Sequence, residues 1–260
     1  MAFQSAGGAR IEVDLAAGCR LASLEVQGYE LLVAPASDPI AWGCYPMAPY
    51  AGRVRRGRFS FGGRDYQLPR TLGGHAIHGS VYLRRWEADG EGAFVTDLGP
   101  DWPFPGWARQ EIRLEPGGLA LRLEVHAAGG AMPASCGWHP WFRRVVAGVP
   151  AALDFHPDFM FERDDDGVAT RRRLPVAEGP WDDCFGDVPA NPAITWPGVL
   201  RLEIESTCAF WVVFTERRHA VCLEPQTAPP DALNHEPFVV EPGRPLVAEC
   251  TMKWGPPAGG

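Results

Sequence analysis

The sequence predicts an all-β fold of antiparallel sheets, and three observations lead to that prediction. Apolar and polar residues alternate with a period of two in most segments, as half-buried strands require. No window of about 11 residues carries the sustained apolar stripe of an amphipathic helix. The 26 prolines and 30 glycines are spread along the whole chain, which favours many turns and few or no helices.

The alternating segments can be followed along the chain, and two pairs of them are predicted hairpins. Residues 59–61 and 66–68 flank Gly62-Gly63, and paired glycines suit a tight turn between antiparallel strands. The clearest hairpin joins residues 111–115 to 119–125 through a Pro-Gly-Gly turn. The remaining predicted strands lie near residues 11–15, 201–205, 210–214, 221–223 and 246–252.

Five long connections separate the predicted strands. They cover residues 34–56, 69–80, 99–107, 156–198 and 224–245. Connections of this length in a compact domain usually carry function or cover the core. The notable histidines and carboxylates lie in or beside them. We interpret Asp164-Asp165-Asp166 as a solvated turn, because the residues after it do not complete a calcium-binding loop.

Composition and charge disfavour several classes of protein. The 260 residues are 46% hydrophobic, which is enough to bury a large core in one β domain. The formal net charge of −8 argues against a nucleic-acid partner. No apolar run approaches the roughly 18 residues of a membrane span, so no membrane partner is expected. Almost all basic residues are arginines, which indicates a composition bias rather than many functional guanidinium groups.

The cysteines and the N-terminal residues bear on the cellular compartment. The seven cysteines are an odd number and form no CxxC pair, so neither a disulfide framework nor a zinc site is predicted. Residues 1–10 lack the basic-then-apolar order of a signal peptide. We therefore expect a cytoplasmic protein with reduced, mostly buried thiols.

Residues 136–143, near the middle of the chain, place one histidine among aromatic rings. Pro140 disfavours a helical backbone at His139 and offers no amide donor, so His139 is predicted in an extended segment. The rings of Trp138, Trp141 and Phe142 would suit a ligand with apolar C–H faces and hydroxyl edges, such as a sugar. The alternative is a core histidine packed between tryptophans, and this stretch taken alone favours that alternative.

A second stretch carries Arg53 in a loop rich in proline and glycine, followed in the next connection by His78. A guanidinium can donate to two hydroxyls or to a carboxylate at once. Gly79 after His78 allows close approach of backbone or ligand. The alternative is a surface arginine and a histidine that caps a turn. We keep that alternative for Arg55, Arg56 and Arg58.

The third stretch carries Glu224 at the predicted end of an apolar strand, directly before Pro225. A carboxylate set in an apolar rim has a raised pKa and can act as a general base near neutrality. The alternative is a strand-end glutamate in water.

Six segments, in this order, resemble the aldose 1-epimerase (galactose mutarotase) family. They are PMAPYAGRVRRGRF (46–59), HAIHG (75–79), DWPFPGWARQEIRL (101–114), GWHPWFR (137–143), WDDCF (181–185) and LEPQTAPPDALN (223–234). The resemblance covers about residues 10–254. It implies a β-supersandwich of antiparallel sheets in a single domain, 1–260, with a sugar site on a concave face. The all-β prediction made above agrees with it.

The resemblance implies a role for each main candidate residue. Glu224 matches the general base that takes the proton of the anomeric hydroxyl. His139 matches the general acid that protonates the ring oxygen, and His78 matches a second histidine that orients the substrate or shares the acid role. Arg53 and Asp182 match residues that bind sugar hydroxyls. No metal and no cofactor are required by this chemistry, in which the ring opens to the aldehyde and closes on its other face.

Other positions at the implied site are less closely matched. Asp183 could replace Asp182, because the register of that segment is uncertain by one residue. His75 and Gln226 are further candidates for sugar binding. Gly52 stands where the family usually has asparagine, His75 where it often has a small amide, and His-Gly-Ser (78–80) replaces His-Gly-Gly. These departures affect the identity of the sugar more than the type of reaction.

The resemblance therefore implies an isomerase acting on a small-molecule sugar, as a monomer or a homodimer. One alternative is a hexose-6-phosphate mutarotase, which would want an extra basic cluster such as Arg55-Arg56, Arg84-Arg85 or Arg143-Arg144. A second alternative is a non-catalytic carbohydrate-binding or sensing protein on the same fold. A lyase or another isomerase of sugar catabolism is a third.

Overall fold

The computed structural model describes residues 1–256 and is built from antiparallel strands. Strands account for 54% of it, and within those residues there is no α-helix, only 3-10 turns at Arg55–Gly57, Val81–Leu83 and Ala232–Asn234. In the same range, no helical segment has the length and hydropathy to cross a bilayer. The all-β prediction is confirmed.

In chain order the strands are β1 (Ala2–Ala6), β2 (Ala9–Asp14), β3 (Arg20–Val26), β4 (Tyr29–Glu30), β5 (Cys44–Met47), β6 (Arg53–Val54), β7 (Arg58–Phe61), β8 (Arg64–Gln67), β9 (Ala76–Ile77), β10 (Glu87–Ala88), β11 (Ala93–Asp97), β12 (Gly106–Glu115), β13 (Gly118–Ala127), β14 (Met132–Ala134), β15 (Gly137–Arg143), β16 (Val145–Val146), β17 (Val149–Pro150), β18 (Ala152–Asp154), β19 (Phe159–Arg163), β20 (Ala169–Leu174), β21 (Asp182–Gly186), β22 (Ala193–Trp196), β23 (Leu200–Ser206), β24 (Phe210–Phe214), β25 (Ala220–Gln226), β26 (Phe238–Val240) and β27 (Leu246–Gly255).

Both predicted hairpins are present, the first with the predicted turn and the second with a turn one residue shorter than predicted. Strands β7 and β8 pair so that Phe61 lies opposite Arg64, which leaves Gly62-Gly63 as the two-residue turn. Strands β12 and β13 pair over their full length, with Glu115 opposite Gly118. The alternation of apolar and polar residues fixes the register of these strands, because a slip of one residue would expose every buried apolar side chain to water.

Two large sheets organise the molecule. The first has eleven strands in the order β1-β2-β3-β5-β15-β25-β24-β21-β19-β20, with β4 paired to β3. The second has eight strands in the order β10-β11-β12-β13-β27-β23-β22-β18. Neighbouring strands in each are antiparallel, and the central strands β15 and β25 of the first sheet join segments that are far apart in sequence.

The core lies between these sheets. One cluster of buried side chains takes Ile11 and Leu24 from the first sheet and Ile112 and Leu121 from the second. A polar contact also crosses the core, where the indole N–H of Trp138 on β15 donates to Gln110 Oε1 on β12 at 2.8 Å. Because successive residues of a strand point to opposite faces, the neighbours of Trp138 on β15 point away from this core.

The prediction of a long connection over residues 156–198 is wrong, since strands β19 to β22 lie within it. Residues Phe159, Met160 and Phe161 of β19 are all buried, so the strand shows no alternation in sequence. Strand β21 begins with two half-buried aspartates, which resemble a turn. Strand β5, inside the predicted connection 34–56, was missed for the first reason, because its four residues are all buried.

Candidate active site

A cavity of about 270 Å³ opens on the face of the first sheet that points away from the core. Its walls include residues of β15, β21, β24 and β25 together with the loops around residues 38–41, 52–53 and 77–78. This volume lies near the lower end of the roughly 300–1,000 Å³ of small-molecule sites. One monosaccharide is therefore a ligand of suitable size.

His139 and Glu224 meet at the wall of this cavity through strand pairing. On β15 and β25, Gly137 pairs with Gln226 and Trp141 with Cys222, so that His139 lies opposite Glu224. The Nε2 atom of His139 is 3.2 Å from Oε1 of Glu224. Directly opposed residues of an antiparallel pair point to the same face, so the register of two strands brings the imidazole and the carboxyl together.

Glu224 does not lie at the end of a strand, contrary to the prediction. It is the fifth residue of β25, which continues through Pro225 to Gln226, and it is buried. Pro225 has no backbone N–H group, but the strand does not end there. Pro225 still pairs with Trp211 on the neighbouring strand β24. The amide Nε2 of Gln226 donates to Oε2 of Glu224 at 3.1 Å, so Gln226 orients the carboxyl from the same face of β25.

Burial shifts the pKa of each member of the pair toward its neutral form. The pKa of Glu224 is raised well above its ordinary value, first by burial and then by the negative charge of Asp182. The pKa of His139 is lowered well below its ordinary value by burial, and by the neighbouring His78 and Arg20. The two groups therefore rest as a carboxylic acid beside a neutral imidazole, with one proton between them.

Aromatic rings hold the imidazole of His139 in place. Trp141, two residues along β15, stacks on it with ring centroids 5.1 Å apart and planes only 4° from parallel. Tyr45, directly opposite on β5, packs against it at 5.1 Å. Of the tryptophans flanking His139, Trp141 lines the cavity, whereas Trp138 belongs to the core between the sheets.

A buried arginine supports the same wall from behind. The guanidinium of Arg20 is stacked over the rings of Trp42 and Tyr45. It donates to the carbonyl oxygens of Pro39 and Trp42, while the hydroxyl of Tyr45 donates to Ile40 O. These contacts fix the loop that brings Asp38, Ile40 and Ala41 to the cavity. Sequence analysis missed Arg20, because the abundance of arginine hid it.

His78 also reaches the cavity, with its ring perpendicular to that of His139 and 5.0 Å away between centroids. Burial and the nearby charge of Arg53 lower the pKa of His78 to about 3. Its backbone is left-handed, with φ of 61°, and its amide donates to Gly52 O at 3.0 Å. Within residues 1–256, no group accepts from or donates to its buried Nδ1 atom.

Gly79 is expected to be essential for the position of His78. A Cβ atom at Gly79 would lie 2.0 Å from Ala48 O, and the backbone there has φ of +74°. Gly79→Ala therefore combines left-handed strain with overpacking, and we expect the free energy of unfolding in urea to fall by about 3 kcal/mol. We also expect the wall of the cavity to change, because His78 must move.

Gly74→Ala is the matched control for this prediction. Gly74 has φ of +82° but no atom within 4 Å of the added Cβ, so only the backbone strain remains. Its expected cost is about 1 kcal/mol. Equal losses in the two variants would show that the close approach at Ala48 does not matter.

Arg53 and Asp182 form the polar side of the cavity. Arg53 Nη2 is 3.2 Å from Asp182 Oδ2, and Arg163 Nη1 lies 2.9 Å from the same oxygen. Asp182 pairs with Phe214 and Cys184 with Val212, which in turn pairs with Glu224, so Asp182 shares the face of Glu224. Asp183 follows it on the opposite pleat, although part of that residue also borders the cavity. Sequence analysis missed Arg163.

Asp231 is a further residue that sequence analysis missed. Its buried carboxylate Oδ1 accepts the Arg55 amide and the Asn234 side chain, each at 2.8 Å. Its own amide donates to Arg53 O at 2.7 Å. Asp231 thus fixes the backbone on both sides of Val54, directly after the residue that carries the guanidinium. The Arg55 side chain pairs in turn with Asp164 and Asp166, so the aspartate run packs against this loop.

His75 is the predicted site residue that does not line the cavity. Its ring is buried beside the turn at residues 73–74, where Nδ1 accepts the backbone amide of Arg56 at 3.0 Å. The expectation that His75 binds substrate is corrected accordingly. At Gly52, a Cβ atom would lie 2.8 Å from the ring of Pro230, so Pro230 fills the space that a longer side chain at position 52 would need.

The chain resembles known proteins in sequence. The sequence profile of the aldose 1-epimerase family matches residues 8–253. The uncharacterized protein YphB of Escherichia coli K12 is 30% identical over 106 residues, which cover 38% of this chain and only 36% of that relative. The match thus spans about a third of YphB.

Solved structures show the same fold at low sequence identity. A suspected aldose 1-epimerase from Escherichia coli K12 superposes with a TM-score of 0.85 at 19% identity, covering 98% of each chain. A galactose mutarotase-like protein from Clostridium acetobutylicum gives 0.84 at 16% identity, covering 98% of this chain and 94% of its own. Galactose 1-epimerase from Lactobacillus acidophilus gives 0.81 at 16%, covering 98% and 93%. The predicted galactose mutarotase-like supersandwich is confirmed.

Proposed function

Because the chain belongs to the aldose 1-epimerase family, we propose that it interconverts the α and β anomers of an aldose by acid/base opening and closure of the sugar ring. One observation carries this proposal. The imidazole of His139 and the carboxyl of Glu224 lie 3.2 Å apart at the wall of a cavity of monosaccharide size. A general acid and a general base on one side of a ligand are what ring opening needs.

The first half of the reaction uses the tautomer in which His139 carries the shared proton. Glu224 takes the proton of the O1 hydroxyl while His139 gives its proton to the ring oxygen O5. The C1–O5 bond breaks, its electron pair goes to O5, and the C1=O1 double bond forms. Each positioned group contributes about 10²–10⁴-fold to such a step.

The second half reverses these transfers on the other face of the aldehyde. After rotation about C1–C2, O5 attacks C1, His139 recovers the proton from O5, and Glu224 returns its proton to O1. Between the halves the pair is a carboxylic acid beside a neutral imidazole. Burial favours this uncharged state by the pKa shifts of Glu224 and His139, so the intermediate is stabilised without any added group.

The remaining residues of the cavity have supporting roles in this proposal. Arg53 and Asp182 bind sugar hydroxyls as a donor and an acceptor, and they orient each other through their ion pair. Gln226 holds the carboxyl of Glu224. His78, neutral because of its low pKa, donates one hydrogen bond toward the ring oxygen. Trp141 offers an aromatic face beside His139.

The charge of the cavity favours an unphosphorylated sugar over a hexose 6-phosphate. Besides Glu224, which rests as a neutral carboxylic acid, the acidic residues lining it are Asp38, Asp182, Asp183 and Glu216, against Arg53, Arg163 and Arg217. Both Arg53 and Arg163 already pair with Asp182. A phosphate dianion would therefore meet an acidic surface with little free cationic charge.

A purely sugar-binding protein is the alternative function from another class. Binding needs hydrogen-bond partners. It does not need a buried carboxyl with a raised pKa beside a buried imidazole with a lowered pKa. The aligned His139–Glu224 pair therefore favours catalysis.

A cytoplasmic location and a monomeric or homodimeric state are further parts of the proposal.

Polarimetry of freshly dissolved sugars tests the proposed function. We expect the protein to accelerate the optical-rotation decay of α-D-glucose or α-D-galactose more than that of α-D-glucose 6-phosphate. A preference for the phosphate ester would contradict the charge argument. Uncatalysed decay for every sugar, combined with measurable sugar binding, would support the non-catalytic alternative.

A further inference from the structure

Cys222 adds a third metal-ligating atom to the acid/base pair. On β25 it lies two residues before Glu224 and therefore on the same face of the sheet. Its thiol, an imidazole nitrogen of His139 and a carboxylate oxygen of Glu224 all lie within 4.8 Å of one another. All three residues are buried. The sequence did not predict this cluster, because strand pairing rather than a short motif assembles it.

We propose that His139, Cys222 and Glu224 form a binding site for Zn²⁺, and that zinc inhibits the protein by occupying its acid/base pair. The donor set is one nitrogen, one sulfur and one oxygen, which suits zinc and not magnesium or calcium. Zinc bonds of about 2.0–2.3 Å in a tetrahedron separate neighbouring ligand atoms by roughly 3.5 Å. The ligand atoms of the cluster lie within 4.8 Å of one another, and His139 Nε2 is already 3.2 Å from Glu224 Oε1, so adjustments of roughly 1 Å bring them to this spacing.

The surroundings define how zinc would enter and what it would do. His139 and Glu224 line the cavity. Cys222 is on the same face of the sheet but outside the cavity wall, between Trp141 and Phe214, its partners on the adjacent strands. The ion reaches the two catalytic groups first and then the thiol. It displaces the carboxyl proton of Glu224 and the thiol proton of Cys222 to solvent as the Zn–O and Zn–S bonds form. The fourth position faces the cavity. Both lone pairs needed for proton transfer are then engaged with the metal.

Cys184 provides a matched control for Cys222. Cys184 is also a buried thiol on the cavity face of the first sheet. It pairs with Val212 on β24, and Val212 pairs with Glu224, so two strand spacings separate it from the carboxyl. At about 4.8 Å for each spacing this is roughly 10 Å, too far for a shared ion. Ser replaces either thiol with little change in volume.

The experiment measures metal binding directly, without substrate. Wild type, Cys222→Ser and Cys184→Ser are titrated with ZnCl₂ by calorimetry. We expect one zinc per chain in wild type and Cys184→Ser, and at least roughly tenfold weaker binding in Cys222→Ser. Cobalt(II) is added to separate zinc-free samples of each, and we expect a cobalt–thiolate charge-transfer band in wild type and Cys184→Ser alone. If mutarotation is observed, zinc should suppress it in competition with sugar.

Several results would overturn the site. They are no zinc binding by wild type, equal binding by Cys222→Ser, or a wild-type cobalt spectrum without the thiolate band. The last measurement needs no variant, so it remains decisive even if Cys222→Ser does not fold. Since binding is recorded without a sugar, failure of the zinc site and failure of the proposed function are separate outcomes.

Discussion

Glu224→Gln is expected to reduce mutarotation by about 10²–10⁴-fold while the protein stays folded. Glutamine cannot take the proton of the O1 hydroxyl, so the base is lost. Its shape suits the site, because its Oε1 can accept from Gln226 and its amide can donate to neutral His139, as the protonated carboxyl of Glu224 does. Polarimetric rates at fixed enzyme concentration measure the loss.

The same substitution is expected to stabilise the fold relative to wild type as the pH rises above the ordinary glutamate pKa. The pKa of Glu224 is raised in the folded state, so the folded state holds this proton more tightly than the unfolded state. The associated stability is present below the ordinary glutamate pKa and is lost as the pH rises through the folded value. Glutamine carries no ionisable proton and escapes that loss. Urea unfolding at several pH values should therefore show the variant gaining on wild type as pH rises.

Glu216→Gln is the matched control for this pair of effects. Glu216 also lines the cavity, but it is exposed at the rim. Its replacement should leave the mutarotation rate within a few-fold and should not change the pH dependence of stability. Substantial activity in Glu224→Gln, or an equal loss in Glu216→Gln, would remove Glu224 from the role of base.

The fold could be predicted from the sequence where each strand buries one face and exposes the other to solvent. The hairpins of β7–β8 and β12–β13 were predicted from alternation and turn glycines, and the structure contains both. Strands β5 and β19 escaped prediction because buried residues follow one another along them. A strand covered on both faces carries no period of two, so its sequence does not distinguish it from a buried connection.

The candidate site could be predicted only as a set of residue types. The motifs around His139, His78 and Glu224 identify the chemistry, but the 3.2 Å approach of His139 to Glu224 depends on the pairing of β15 with β25. The pairing register of two strands that are far apart in sequence cannot be predicted from a local sequence pattern. For the same reason Arg20 and Asp231, which act through backbone carbonyls and amides, carried no signal.

A large effect of pH on stability is expected on acidification from pH 7 to pH 5. The pKa of His78 is about 3 in the folded state and about 6.5 in an unfolded chain. Below pH 6.5 the unfolded state therefore binds more protons, and the free energy of unfolding falls as the pH falls. His78 alone should cost about 2 kcal/mol at pH 5. His139, whose pKa is also lowered by burial, acts in the same direction.

Glu224 must be removed before the contribution of His78 can be measured. Its raised pKa makes the folded state hold a proton that the unfolded state lacks in the same pH range. The fold therefore gains stability from Glu224 as the pH falls, which opposes the loss caused by the histidines. Glu224→Gln eliminates this opposing effect. The comparison is then between Glu224→Gln and the double variant with His78→Asn. Asparagine suits the site because it tolerates the left-handed backbone at position 78.

The free energy of unfolding of Glu224→Gln should drop steeply from pH 7 to pH 5, and the double variant should lose about 2 kcal/mol less over that interval. The paired surface carboxylates with lowered pKa values, such as Glu111 and Asp154, do not interfere, because their contribution disappears only at more acidic pH. His156→Asn in the same background is the control, since that histidine is exposed. Parallel curves for the single and double variants would mean that His78 is not held neutral by its burial, and its proposed role as a neutral hydrogen-bond donor to the sugar would have to be abandoned.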